Sequence, residues 1–220
     1  MNSNLINENA NFKSPKDDLV RLFFKLISFV FQPLLMPTFG MLMLVNMDVF
    51  SVFSNAWKWI AIGGTLLFTG LGPASPILIM MGRGKIKDLY ISKKEDRTLP
   101  YIFSFLSYVF WTYFLWQTLH FPIFLVAVGI GSIISILLII LINLKWKISA
   151  HLASVGGVVG GVFGISYRMA INPLWLLVLV LTIAALVALS RIELKAHSPG
   201  QTLAGFIIGF LAVFLPCLLL

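Results

Sequence analysis

Cysteine is nearly absent from this chain. Cys217 is the only one, which excludes a disulfide framework and a metal–thiolate site built from the chain's own residues. Carboxylates are scarce too, with Asp and Glu together numbering 8 among 220 residues. The five aspartates are Asp17, Asp18, Asp48, Asp88 and Asp96, and no pair sits one turn apart in an apolar helix. That disfavours the Mg²⁺-dependent membrane transferases, whose metal is held by such clusters. No stretch alternates apolar and polar residues over ten positions, which argues against a transmembrane barrel. No repeat of 20–50 residues is evident. Charges are rare within the apolar runs, against the midplane polar sites of a transporter.

What the chain has instead is apolar length. It is 59% hydrophobic and 11% charged, and several runs exceed the roughly 18–20 residues that cross a bilayer as helix. The pattern predicts an all-α integral membrane protein, a bundle of about 6–7 transmembrane helices. Candidate spans are 20–46, 57–81, 100–118, 122–143, 150–166, 173–190 and 202–220. The first two contain proline pairs, Pro33 with Pro37 and Pro73 with Pro76. Either pair breaks or kinks its helix, so either segment also reads as a re-entrant hairpin. The opening 18 residues, MNSNLINENANFKSPKDD, read as a polar, disordered leader. Residues 19–220 then form one transmembrane domain. The first apolar run is too long for a signal-peptide core and follows that leader.

The net charge of +8 does not point to nucleic acid, because the cations are sorted by loop. All basic residues except Lys58 and Arg168 fall in the leader and its junction with the first span, the 82–99 loop, the 144–149 link or the 191–201 link. By the positive-inside rule that side faces the cytoplasm and the C-terminus lies outside. Gly156, Gly157, Gly160, Gly161 and Gly164 form a flat strip at helical spacing, suited to close packing by another helix.

Three polar segments on the basic side open apolar spans: KKEDRTLP at 93–100, KISAHLAS at 147–154 and SRIELKAHSPGQTLAG at 190–205. Ionisable groups cost about 2.5–3.5 kcal/mol at a span centre and less near its ends, so simple anchoring accounts for lysines. Histidine is a poor anchor, and two of the three histidines, His151 and His197, lie here. His120, on the other side, reads as an ordinary interfacial residue. Two histidines with arginines and serines, without a carboxylate pair, suit metal-free phosphoryl transfer. Guanidinium forks hold phosphate oxygens. One imidazole can attack phosphorus while another protonates the leaving oxygen. Ser198, Pro199 and Gln201 also read as a capping box with proline at its first helical position. Gln201 is therefore a helix cap, a partner of His197, or both.

Ser190 to His197 reads Ser-Arg-x5-His and resembles the third signature of the type 2 phosphatidic acid phosphatase superfamily, whose fold is related to vanadium haloperoxidases. Ser149-Ala150-His151 looks like its second signature, Pro-Ser-Gly-His, with Ile148 and Ala150 in place of Pro and Gly. Arg97 looks like the arginine of the first signature, Lys-x6-Arg-Pro, although its lysine position holds Tyr90 and Pro100 comes three residues after Arg97 instead of directly after it. The resemblance covers roughly 88–205 and implies roles residue by residue. His197 would be the nucleophile that becomes a phosphohistidine, and His151 the general acid and then base. Arg97, Arg191, Ser149, Ser190 and the Ala150 N–H would hold phosphate, with Lys94, or failing that Lys93 or Lys87, standing in for the missing lysine. Gln201 stands where the family places an Asp that orients the nucleophile. No metal or other cofactor is implied. The expected partners are the bilayer and a lipid phosphate or (prenyl) diphosphate substrate, in the inner or plasma membrane with the site cytoplasmic. The competing expectation is a weak or inactive membrane protein that binds anionic lipid or phosphate in the same pocket.

Overall fold

The computed structural model describes residues 15–84 and 98–220. Arg97, Lys94, Lys93, Tyr90 and Lys87 lie outside the described residues, as do residues 1–14. The described chain is helical: α1 (Pro15–Val30), α2 (Met36–Val45), α3 (Asn55–Thr65), α4 (Gly72–Gly82), α5 (Thr98–Gln117), α6 (Ile123–Asn143), α7 (Ala150–Arg168), α8 (Leu174–Glu193) and α9 (Pro199–Leu219). Six helical segments are long and apolar enough to cross a membrane: α5 to α9, and the continuous stretch from α3 through α4, Asn55–Gly82. This is an all-α bundle of an integral membrane protein.

The two proline-paired segments behave differently. The expected span 20–46 is broken between Val30 and Met36, around Pro33, into α1 and the short apolar α2. Pro33 has no N–H to continue α1's hydrogen-bond ladder, and Pro37 enters α2 in the first turn, where no N–H is needed. Helix α1 also begins at Pro15, so it includes four residues that the sequence pattern assigned to the leader. The second segment does not break. A π-helical stretch, Leu66–Leu71, joins α3 to α4 just before Pro73, and Pro76 lies inside α4. Widening the turn there carries the chain past both prolines as one helix.

Consecutive helices joined by short links alternate in direction. The ends of α6 and α8 and the starts of α7 and α9 therefore share one end of the bundle. The links 144–149 and 194–198 meet there, while Lys58 and Arg168 lie at the other end. Helices α7 and α9 form the most extensive helix pair among the described residues. The glycine strip explains it: a Cβ on Gly156 or Gly160 would collide with the Phe206 or Phe210 carbonyl of α9. The contact is reciprocal, since a Cβ on Gly205 or Gly209 would strike the carbonyl of Ser149 or Ala153. Lipid supplies no hydrophobic drive for helix association, so backbone proximity and van der Waals contact hold this pair. Its register fixes the head of α7 against the head of α9, where the Ser149 N–H reaches the Gln201 carbonyl at 3.4 Å.

The opposite end is closed by aromatic rings. Trp57 stacks on Phe53 at 4.1 Å and on Phe121 at 3.9 Å. Phe50, fully buried, packs 5.7 Å from Phe124.

Candidate active site

The spacing Arg-x5-His has a local structural cause. Helix α8 ends in a Schellman turn: the Ala196 N–H bonds to the Arg191 carbonyl at 3.0 Å and the Lys195 N–H to the Ile192 carbonyl at 2.8 Å. Lys195 takes the left-handed conformation, φ +53°, that such a turn requires. The His197 N–H also reaches the Arg191 carbonyl, at 3.2 Å. One residue later Ser198 caps α9, accepting from the Gln201 N–H at 3.3 Å, with Pro199 at the first helical position. A helix stop followed at once by a helix start folds His197 back beside the end of α8.

Gln201 satisfies both sequence readings. Its Oε1 accepts from the Ser198 N–H at 3.2 Å, completing the capping box, and lies 3.2 Å from His197 Nδ1. A backbone N–H can only donate, so it fixes which end of the amide is oxygen. The same oxygen faces the imidazole, so Nδ1 carries a proton.

His151, the second residue of α7, is 8% exposed, and Arg191, in the last turn of α8, is 4% exposed. Ser28 of α1 joins them. Its hydroxyl accepts from Arg191 Nη1 and lies 3.4 Å from His151 Nε2, and its carbonyl lies 3.2 Å from the same nitrogen. A carbonyl only accepts, so His151 Nε2 bears hydrogen. Ser28 is fully buried. No sequence signal marked it, because it is one small residue in an apolar run, 123 positions from His151.

Two expected phosphate ligands also hold the local structure. The Ser190 hydroxyl donates to the Phe24 carbonyl at 2.7 Å and fastens α1 to α8. Ser149 is the N-cap of α7, its oxygen accepting from the Leu152 N–H at 3.4 Å. The Ala150 N–H lies at the start of α7, among the amides that a helix leaves unpaired and that favour an anion. His120 is exposed at the opposite end of the bundle, with φ +50°.

His151, Arg191, His197 and Ala150 line the same cavity, of about 310 Å³, whose remaining walls are largely apolar. The structure thus brings together residues from the start of α7, the end of α8 and the link to α9. Two imidazoles and a guanidinium stand at one end of a largely apolar cavity, residue types whose chemistry suits an anion. Residues 143–218 match the family model of the PAP2 superfamily. This is the type 2 phosphatidic acid phosphatase superfamily, and the matched segment holds His151, Arg191, His197 and Gln201. The match supports a phosphatase-type function. No curated protein and no solved structure matches the chain.

Proposed function

We propose that the protein is a metal-independent lipid phosphatase or phosphotransferase that cleaves a lipid phosphate or diphosphate through a phosphohistidine. The observation that carries this reading is the joining of His151, Arg191 and His197 to one end of a largely apolar cavity. A headgroup bound there leaves its tail within the bundle.

The chemistry follows from the assigned protons. His197 Nε2, with Nδ1–H held by Gln201, attacks phosphorus. Arg191 and the amides at the start of α7 neutralise the oxygens that gather charge in the transition state. The P–O bond to the lipid breaks, and His151, entering as the imidazolium with Nε2–H held by Ser28, donates its Nδ1 proton to the departing alkoxide. His151, now a base, takes a proton from water. The hydroxide displaces His197 from phosphorus, which releases inorganic phosphate. Gln201 fixes the nucleophile's tautomer but cannot offset the imidazolium charge as a carboxylate would, so this enzyme turns over slowly. Ser28 acts here as a positioning residue, tying His151 and Arg191 into one unit. By the loop charges, the site faces the cytoplasm.

The test is inorganic phosphate release from lipid phosphates and prenyl diphosphates in EDTA, by wild type and His197→Ala. Release that survives EDTA and vanishes in His197→Ala is the expected result. Retained binding of the lipids with no release would make the protein a binder of anionic lipid that lacks turnover.

A further inference from the structure

The cavity that begins at His151 and Arg191 continues far beyond a phosphate. On α5 it is lined by Tyr101, Ser104, Tyr108, Trp111, Thr112 and Leu115, one face of the helix over nearly four turns. On α6 the lining runs from Ile139 to Leu125, and on α7 from Ala150 to Gly161. At 1.5 Å per residue, the fourteen-residue separations on α5 and α6 correspond to a length of about 20 Å. Ile139 and Tyr101 belong to the apolar cluster around Ala153, just below His151, which marks the upper end. Leu44, Leu115 and Leu125, each no more than 2% exposed, mark the lower one. Beyond them stands the Phe53–Trp57–Phe121 stack, so the tunnel is blind.

Four of its hydroxyls are satisfied within their own helices. Thr65, Thr69, Ser104 and Ser132 each donate to the carbonyl four residues back in their own helix. Trp111 Nε1 is bonded to Thr65 at 3.0 Å. With those groups satisfied, the wall presents mainly carbon. About 310 Å³ is at the low end of ligand-pocket volumes, and stretched along about 20 Å it is one hydrocarbon chain wide.

We infer that this tunnel is the tail site for a single hydrocarbon chain of bounded length, and that the preferred substrate is a single-chain lipid phosphate. The inference rests on the phosphatase reading for its headgroup chemistry, and adds the tail class and its limit. A space of about 310 Å³ does not hold both tails of a two-chain lipid, and a polyprenyl chain much longer than the tunnel cannot be enclosed.

The experiment uses n-alkyl phosphates of increasing length, phosphatidic acid and a long polyprenyl phosphate, assayed for phosphate release by the purified full-length protein in detergent. Alkylphosphonates of the same lengths, which a phosphatase does not cleave, measure binding without turnover. Wild-type affinity should rise about fourfold or less per added methylene and stop rising when the chain reaches the tunnel floor. Phosphatidic acid should show at least tenfold lower kcat/KM than the best alkyl phosphate. Ser132 lies about 10 Å below Ile139 along α6, and its hydroxyl bonds only its own helix. Ser132→Phe should therefore keep wild-type affinity for the shortest phosphonates and lose it for the long ones, moving the plateau to a shorter chain. Affinity that climbs past the tunnel length, equal use of phosphatidic acid or polyprenyl phosphate, or an unmoved plateau in Ser132→Phe would overturn the inference. Length-limited phosphonate binding with no phosphate release from any substrate would sink the phosphatase reading and leave the tunnel standing.

Discussion

Gln201 Oε1 lies 3.2 Å from His197 Nδ1 while accepting the Ser198 N–H at the same distance. One amide oxygen thus starts a helix and sets a tautomer. Gln201→Glu keeps the reach and the capping box, where Glu is equally favoured, and adds the missing charge. It should raise kcat for phosphate release at least tenfold. A carboxylate beside the imidazole favours its protonated form, so the acid limb of the kcat/KM profile should move to higher pH. Gln201→Leu removes both bonds and should cut kcat at least a hundredfold. An unchanged rate and pH profile in Gln201→Glu would show that the amide only caps.

Ser28 connects the proposed acid to the proposed phosphate-binding arginine. Ser28→Ala leaves its carbonyl on His151 Nε2 but removes the hydroxyl that accepts from Arg191. Losing a buried partner of a charged group typically costs about 1.5–3 kcal/mol. The variant should show a KM raised about tenfold and a smaller fall in kcat, with Ser28→Thr restoring most of the difference. A rise in activity would mean that the hydroxyl competes with phosphate instead of supporting its site.

Lys195 holds a left-handed φ of +53° at the close of α8. Glycine adopts this conformation freely, whereas an L side chain strains there by about 1 kcal/mol. Lys195→Gly should raise the apparent Tm in detergent by a few degrees with kcat within twofold of wild type. A fall in Tm would show that the lysine side chain has a stabilising contact outweighing its backbone strain.

The α7–α9 contact is tested at Gly209. A methyl group there meets the backbone of Ala153, and overpacking of this kind costs about 1–3 kcal/mol. Gly209→Ala should lower apparent Tm and phosphate release together, because the contact sets His151 against His197. Gly63→Ala is the control: nothing lies within 4 Å of the added atom, and stability should hold or rise. Full activity in Gly209→Ala would show that the site tolerates a shift between the two helices.

Much of this was written in short range along the chain. Helix-forming apolar length foretold the spans from Asn55 onward, because a bilayer demands about 20 apolar residues whatever the neighbours are. The Ser198–Gln201 cap was legible because its groups lie three residues apart. His151, Arg191 and His197 stood out because charge and imidazole are conspicuous in an apolar chain. Pro33 and Pro73 show where local reading stops. Both are prolines in apolar segments, yet one ends a helix and the other is absorbed by a π-helical stretch. The sequence could not separate them, because the choice depends on which neighbours satisfy the freed backbone.

Only the tertiary structure brought Ser28 between His151 and Arg191, and only it opened a blind tunnel beneath them. Serine in a span carries no signal of its own, and an empty space has no residues to encode it. Both arise when helices distant in sequence settle into one packing register, here fixed by the glycines that let α7 and α9 touch backbone to backbone. Contacts within a helical turn follow from the chain; contacts across 123 positions follow from how the helices pack.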